Sequence, residues 1–259
     1  MVRRTLILLT LGLVAAACGG SGHHETEADR VTAPKPGSCR DLAAADVDER
    51  SNATAVVPCS DRHTAETFAV GTLPKDTGTS YGDKRQGRFV FDACNQTFRD
   101  YLGADESLAL RIQLSWAWFR PSERGWARGA RWYRCDVIGG AEGAKRLRPL
   151  PDQVEGLFAT GQPDAWLTCA RGTTVPSSVK VPCSETHDWR AISTIKVGQP
   201  ADPYPGDRIV EVRSRDLCSD WIGAWSHYPA DYDYGYTWFH ETEWTAGNRR
   251  SVCWARTAE

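Results

Sequence analysis

No stretch of this 259-residue chain is apolar for long enough to cross a bilayer. The most apolar run, Leu6 to Val14, covers nine residues, against the ~20 that a transmembrane helix needs. An excess of either charge is also missing. With 31 Lys and Arg against 33 Asp and Glu, the chain has no basic surplus to neutralise phosphates, which excludes nucleic acid as an expected partner. The absence of Cys-x-x-Cys argues against a thiol oxidoreductase, and the absence of Gly-x-Ser-x-Gly against an α/β-hydrolase elbow. His240-Glu241 opens a zincin-like pattern, but residue 244 is Trp rather than His, so the pattern fails. Gly139, Gly140 and Gly143 lack the strand-to-helix switch of a dinucleotide fingerprint. No cofactor and no metal is expected from these motifs.

What the chain does have is eleven Trp, nine Cys and a duplication. Val57-Pro58-Cys59-Ser60-Asp61-Arg62-His63 returns as Val181-Pro182-Cys183-Ser184-Glu185-Thr186-His187, a shift of 124 residues. The same shift carries Gly82-Asp83-Lys84 onto Gly206-Asp207-Arg208 and Cys94 onto Cys218. Further on, Trp126, Gly129, Arg131 and Cys135 meet Trp244, Gly247, Arg249 and Cys253 at a shift of 118. A period of ~120 residues is domain-sized rather than solenoid-sized, so each copy is expected to hold its own core.

The N-terminus reads as a secretory signal peptide over residues 1–17, with Arg3-Arg4, a short apolar core and small residues before Cys18. Ala15-Ala16-Ala17-Cys18-Gly19 resembles a bacterial lipobox, with Ala15 where Leu is usual. That resemblance implies lipidation of Cys18 and an extracytoplasmic, membrane-anchored chain; plain secretion is the alternative. Residues 18–36 are polar and are expected to form a flexible tether. His23 and His24 within it are read as solvated residues.

Residues 37–138 form the first expected domain, 139–163 a linker and 164–257 the second domain. Short strands are predicted at Thr54–Pro58, Thr67–Leu73, Leu114–Phe119 and Arg131–Ile138. A helix carries Phe91, Cys94, Phe98, Tyr101 and Leu102 on one face and stops at Gly103. The second copy predicts strands near Lys180–Pro182, Ala191–Val197, Tyr236–His240 and Ser251–Ala255. Its helix, from about Val210 to Tyr228, should turn Leu217, Cys218, Trp221, Ile222 and Trp225 inward. The fold class is therefore α+β: two tandem homologous small domains, each a small antiparallel sheet with one packed helix and two disulfides.

Both copies resemble the septum-formation domain family of actinobacterial envelope proteins. The likeness rests on the Val-Pro-Cys-Ser-x-x-His block, the helix bearing the third cysteine, and the late Trp, Gly, Arg and Cys pattern, and it covers nearly all of residues 37 to 257. It implies an exported or membrane-anchored envelope protein associated with division, and it implies no reaction. Two departures stand out. Gly37-Ser38-Cys39 and Leu167-Thr168-Cys169 replace the family's frequent Gly-Asp-Cys, and the acidic residue three after the histidine is Glu66 in the first copy but Arg190 in the second.

His63 and His187 are the obvious site candidates, with Ser60 and Glu66 nominally able to supply a nucleophile and an orienting acid. The preferred reading is structural, each histidine holding its turn by a hydrogen bond. Zinc through Cys59 with His63, or Cys183 with His187, would need free thiolates that disulfides consume. Trp126, Arg128 and Arg131 in the first hairpin tip, and Trp244 and Arg249 in the second, are candidates for binding anionic or sugar-bearing polymers. The weightier alternative is a solvated arginine face over core tryptophans.

The expected protein is a non-enzymatic envelope lipoprotein that binds an envelope protein or cell-wall polymer. An envelope hydrolase using His63, or a sensor or ligand-binding lipoprotein, is the alternative. Four cysteines per copy allow three pairings. The expected one joins Cys39 to Cys59, Cys94 to Cys135, Cys169 to Cys183 and Cys218 to Cys253. The spacing between the first two varies from 20 to 14 residues, as a surface loop would, and Cys94 and Cys218 face the final strand across the core.

Overall fold

The computed structural model describes residues 25–257, so the signal peptide, Cys18, His23 and His24 lie outside the described residues. The first copy begins with a two-residue strand, β1 (Cys39–Arg40), followed by β2 (Ala65–Thr72) and the long helix α1 (Lys84–Leu102). A one-turn α2 (Glu106–Ala109), the strand β3 (Leu114–Phe119), a one-turn α3 (Glu123–Ala127) and β4 (Trp132–Gly139) complete it. The second copy comprises β5 (Thr168–Arg171), β6 (Val179–Pro182), β7 (Trp189–Lys196), α4 (Asp207–Trp225), β8 (Tyr234–Thr237), α5 (Glu241–Thr245) and β9 (Arg250–Arg256).

Strand order is β1-β2-β4-β3 in one sheet and β6-β5-β7-β9-β8 in the other, antiparallel at every pairing. Omitting β6, the two orders correspond strand for strand. Even the irregularities match, since the register slips between Thr67 and Ala69 and again between Ala191 and Ser193, 124 residues later. The fold is thus α+β and duplicated. Thr54–Pro58, expected as a strand, makes only a single bridge from Val57 to Cys39. The turn at Pro58 and the disulfide at Cys59 end the pairing there.

α1 forms where Gln86, Val90, Cys94, Phe98 and Leu102 recur every fourth residue and stay buried. Asp83 caps its first turn by accepting from the Arg85 N–H, and Gly103 closes it in the left-handed conformation at φ 69°. All four disulfides join first to second and third to fourth cysteine within a copy. Cys94–Cys135 and Cys218–Cys253 staple each long helix to the strand beneath it.

Part of the expected flexible tether and part of the expected linker are packed. The Thr26–Arg30 stretch is not a free tether: it lies against the tip of β3 and β4, with Ala28 buried and the Ser122 hydroxyl donating to Asp29 at 2.6 Å. Trp132 Nε1 donates to the Arg30 carbonyl at 3.0 Å, and Glu27 reaches two buried arginines. Long-range charge pairing holds this stretch despite its polar composition.

The connection after β4 likewise folds back on the first copy. Leu150, Val154 and Phe158 join its core, and the Leu150 N–H donates to the His63 carbonyl at 2.8 Å. A Cβ at Gly139 would come within 2.0 Å of the Arg148 carbonyl oxygen, so only glycine permits this return. The same hydrophobic cluster runs on to Trp166, Cys169 and Cys183, and Gln113 Nε2 donates to Thr168 Oγ1 at 3.0 Å. The copies therefore share buried contacts. Among the described residues, no helix is long and apolar enough to cross a membrane.

Candidate functional site

The histidine turn is built the same way twice. Asp61 N–H donates to the Pro58 carbonyl at 2.9 Å and Glu185 N–H to the Pro182 carbonyl at 3.0 Å, closing tight turns after the second cysteine. Each ring then folds back on its own turn, His63 Nδ1 lying 2.8 Å from the Asp61 carbonyl oxygen and His187 Nδ1 2.7 Å from that of Glu185. A carbonyl can only accept, so Nδ1 carries a proton and donates it to the turn in both rings. Both histidines are buried, and neither Nε2 atom has a hydrogen-bond partner among the described residues.

This arrangement does not assemble a nucleophile relay. The Nδ1 proton that an orienting acid would hold goes to backbone instead, and Ser60 is exposed. Glu66 is turned to Tyr101, whose hydroxyl donates to Oε1 at 2.6 Å; burial first, and the Glu66 contact second, push the Tyr101 pKa up. Glu66 Oε2 has no partner among the described residues. Ligand atoms of Cys39, His63 and Glu66 all fall within 4.8 Å of one another. Cys39 Sγ, however, is bonded to Cys59 and has no thiolate to give, so the trio offers two donors. In the second copy Arg190 replaces the acid and reaches Asp164 at 2.5 Å.

The hairpin tips are also duplicated closures. In the first, Ser122 caps α3 by accepting from the Gly125 N–H, and Trp126 is buried with its indole N–H donating to the Thr79 carbonyl at 3.2 Å. The Arg131 guanidinium lies 3.8 Å over that indole and donates to the carbonyls of Trp126 and Ala130. In the second, Trp244 donates to the Asp202 carbonyl, and Arg249 lies 3.7 Å over it and donates to the carbonyls of Trp244 and Asn248. Gly129 and Gly247 supply the left-handed turns between, at φ 97° and 105°.

The Trp-Gly-Arg pattern is therefore a cap that satisfies the ends of α3 and α5. Trp126, Arg131, Trp244 and Arg249, considered above as polymer-binding residues, all take part in holding the tips. The cause is local: a guanidinium five residues after the indole reaches both its face and its carbonyl. Arg128 stays exposed and pairs with Glu25 at 2.5 Å. Arg120 and Arg134, at the ends of the two strands that the first tip joins, are buried.

The exposed aromatic surface is elsewhere. The expectation that α4 turns Leu217, Trp221 and Trp225 inward is corrected: these side chains are 41%, 49% and 46% accessible. Val210, Ser214, Cys218 and Ile222 take the buried face instead. The bond from Cys218 to Cys253 fixes the rotation of the helix, and the row one residue earlier lies about 100° round the axis.

Fold and site together define a duplicated, disulfide-stapled α+β protein whose repeated histidine, tryptophan and arginine residues serve the fold. The chain belongs to the septum-formation family: the family model matches residues 21–120 and again residues 110–253. Membership supports a role related to cell division. No curated protein and no solved structure matches the chain.

Proposed function

We propose that this chain is an exported protein, anchored by lipid at Cys18, that works in septum formation by binding a partner protein or wall polymer on the outer face of the membrane, with no reaction of its own. The observation that carries the reading is how the repeated polar residues are used. His63 and His187 hold their own turns and Arg131 and Arg249 cap their own tips, while the second copy alone exposes a row of large apolar side chains. Four disulfides support an oxidising compartment. The run ending at Cys18 supports attachment through a diacylglycerol and an acyl chain.

Sedimentation with purified wall fragments tests it. The chain should pellet with the fragments and release nothing from them. Release of soluble fragments that disappears in His63→Ala would overturn the binding reading in favour of a hydrolase. Anchoring is read separately, by partition into membranes that Cys18→Ser abolishes.

A further inference from the structure

Leu217, Trp221 and Trp225 follow one another every fourth residue, so they form a line along α4 with steps of about 6 Å. Under the 124-residue shift their first-copy counterparts are Ala93, Thr97 and Tyr101, and Tyr101 is committed to Glu66. The line is thus no part of the shared fold. Exposed indoles in a row, left uncovered by the described residues, mark a contact surface.

Two open clefts flank it. One, of about 470 Å³, lies between Trp221 and the end of β7, with Asp220, Lys196 and Thr194 at its rim. The other, of about 360 Å³, lies beside Trp225, with Asp231, Tyr232, Asp233 and Arg256 around it. Asp233 and Arg256 are 3.3 Å apart and both largely exposed. Each cleft therefore joins an aromatic side chain to a cation and to at least one carboxylate, one in the first and two in the second, all in reach of solvent.

That combination fits a sugar ring. One face of a pyranose or furanose carries C–H bonds and lies against an aromatic plane, while its vicinal hydroxyls donate to carboxylates and accept from ammonium or guanidinium groups. An anionic polymer is disfavoured by Asp220, Asp231 and Asp233, which outnumber Lys196 and Arg256. A docking peptide helix would need one continuous apolar groove. Here the charged Asp220 flanks the row and the clefts are separate.

We propose that the C-terminal half of α4 and its two clefts bind a polysaccharide strand of low charge, with Trp221 and Trp225 stacking on successive parts of the strand. The proposal deepens the envelope-binding reading above and rests on it.

Calorimetric titration of the detergent-solubilised full chain with neutral hexose, pentose and N-acetylhexosamine tetrasaccharides tests it. Saturable binding to at least one is expected. Trp221→Ala and Trp225→Ala should each weaken it roughly three- to tenfold, the value of one aromatic stacking contact, without lowering the melting temperature. No saturable response to any saccharide, or a response unchanged in the double variant, overturns the proposal. If the double variant still sediments with intact wall, envelope binding stands and the saccharide site falls. Capture by wall-associated protein freed of glycan, lost in Trp221→Ala, overturns it in favour of a protein partner.

Discussion

Replacing Glu27 with glutamine removes a charge that two buried arginines share. Glu27 Oε1 lies 2.5 Å from Arg40 Nη2 and 3.1 Å from Arg134 Nη1, and both guanidiniums are fully buried. On their other side Asp136, also fully buried, takes Arg134 Nε at 3.0 Å and the Thr67 hydroxyl at 2.7 Å, and Arg40 donates to that hydroxyl. Two cations face two carboxylates. The variant leaves two cations facing one, and breaking a buried pair from one side costs about 3–5 kcal/mol. Glu27 keeps 22% of its side chain in solvent and the amide still accepts one hydrogen bond, so the expected loss is about 2–3 kcal/mol. At roughly 2–4 °C per kcal/mol for a body of this size, the melting temperature should fall by about 4–12 °C.

The second copy contains the comparison. At the positions of Arg40, Thr67, Arg134 and Asp136 it carries Ala170, Ala191, Val252 and Trp254, which pack with Val175 and Trp189 into an apolar cluster. Converting the four first-copy residues together to Ala, Ala, Val and Trp should therefore recover most of the stability that Asp136→Asn alone loses. Urea unfolding followed by far-UV circular dichroism measures all three variants. A Glu27→Gln shift under about 0.5 kcal/mol, the range of ordinary surface substitutions, would refute the reasoning.

Removing one helix staple, Cys94→Ser with Cys135→Ser, should cost roughly 4 kcal/mol from its 41-residue loop; a peptide joining Cys59 to Cys94 in an unreduced digest would contradict the pairing. Asp29 is held at a pKa of about 2, chiefly by the Ser122 hydroxyl and the Thr26 N–H. Its folded pKa lies below the ordinary value of 3.8, so its contribution is complete above about pH 4 and lost as pH falls through about 2. Melting temperatures between pH 5 and 2 should thus drop less steeply in Asp29→Asn.

Much of the fold was legible because duplication repeats its constraints. Leu114–Phe119 was placed to the residue, and the Gly103 stop and the cysteine pairing follow from periodicity and loop lengths. Strands β1 and β5 escaped notice, since two to four residues beside a cysteine carry no readable alternation. α3 and α5 also escaped, because single turns are set by their caps. The histidine turns were legible through their Ser-x-x-His spacing. The tips were read as surface because Arg beside Trp in sequence looks the same whether it stacks outward or closes a cap.

By itself, the sequence determined two copies of an α+β unit, each with a helix stapled to a sheet, because the same order of cysteines and apolar periods admits one local solution twice. Only the tertiary structure decided which side of α4 meets the sheet and where the charges before Gly37 go. Two neighbouring apolar rows on one helix satisfy the same period, and the bond from Cys218 to Cys253 chooses between them. Glu27 meets Arg134 across 107 residues, a pairing set by three-dimensional proximity and by the need of a buried cation for an anion.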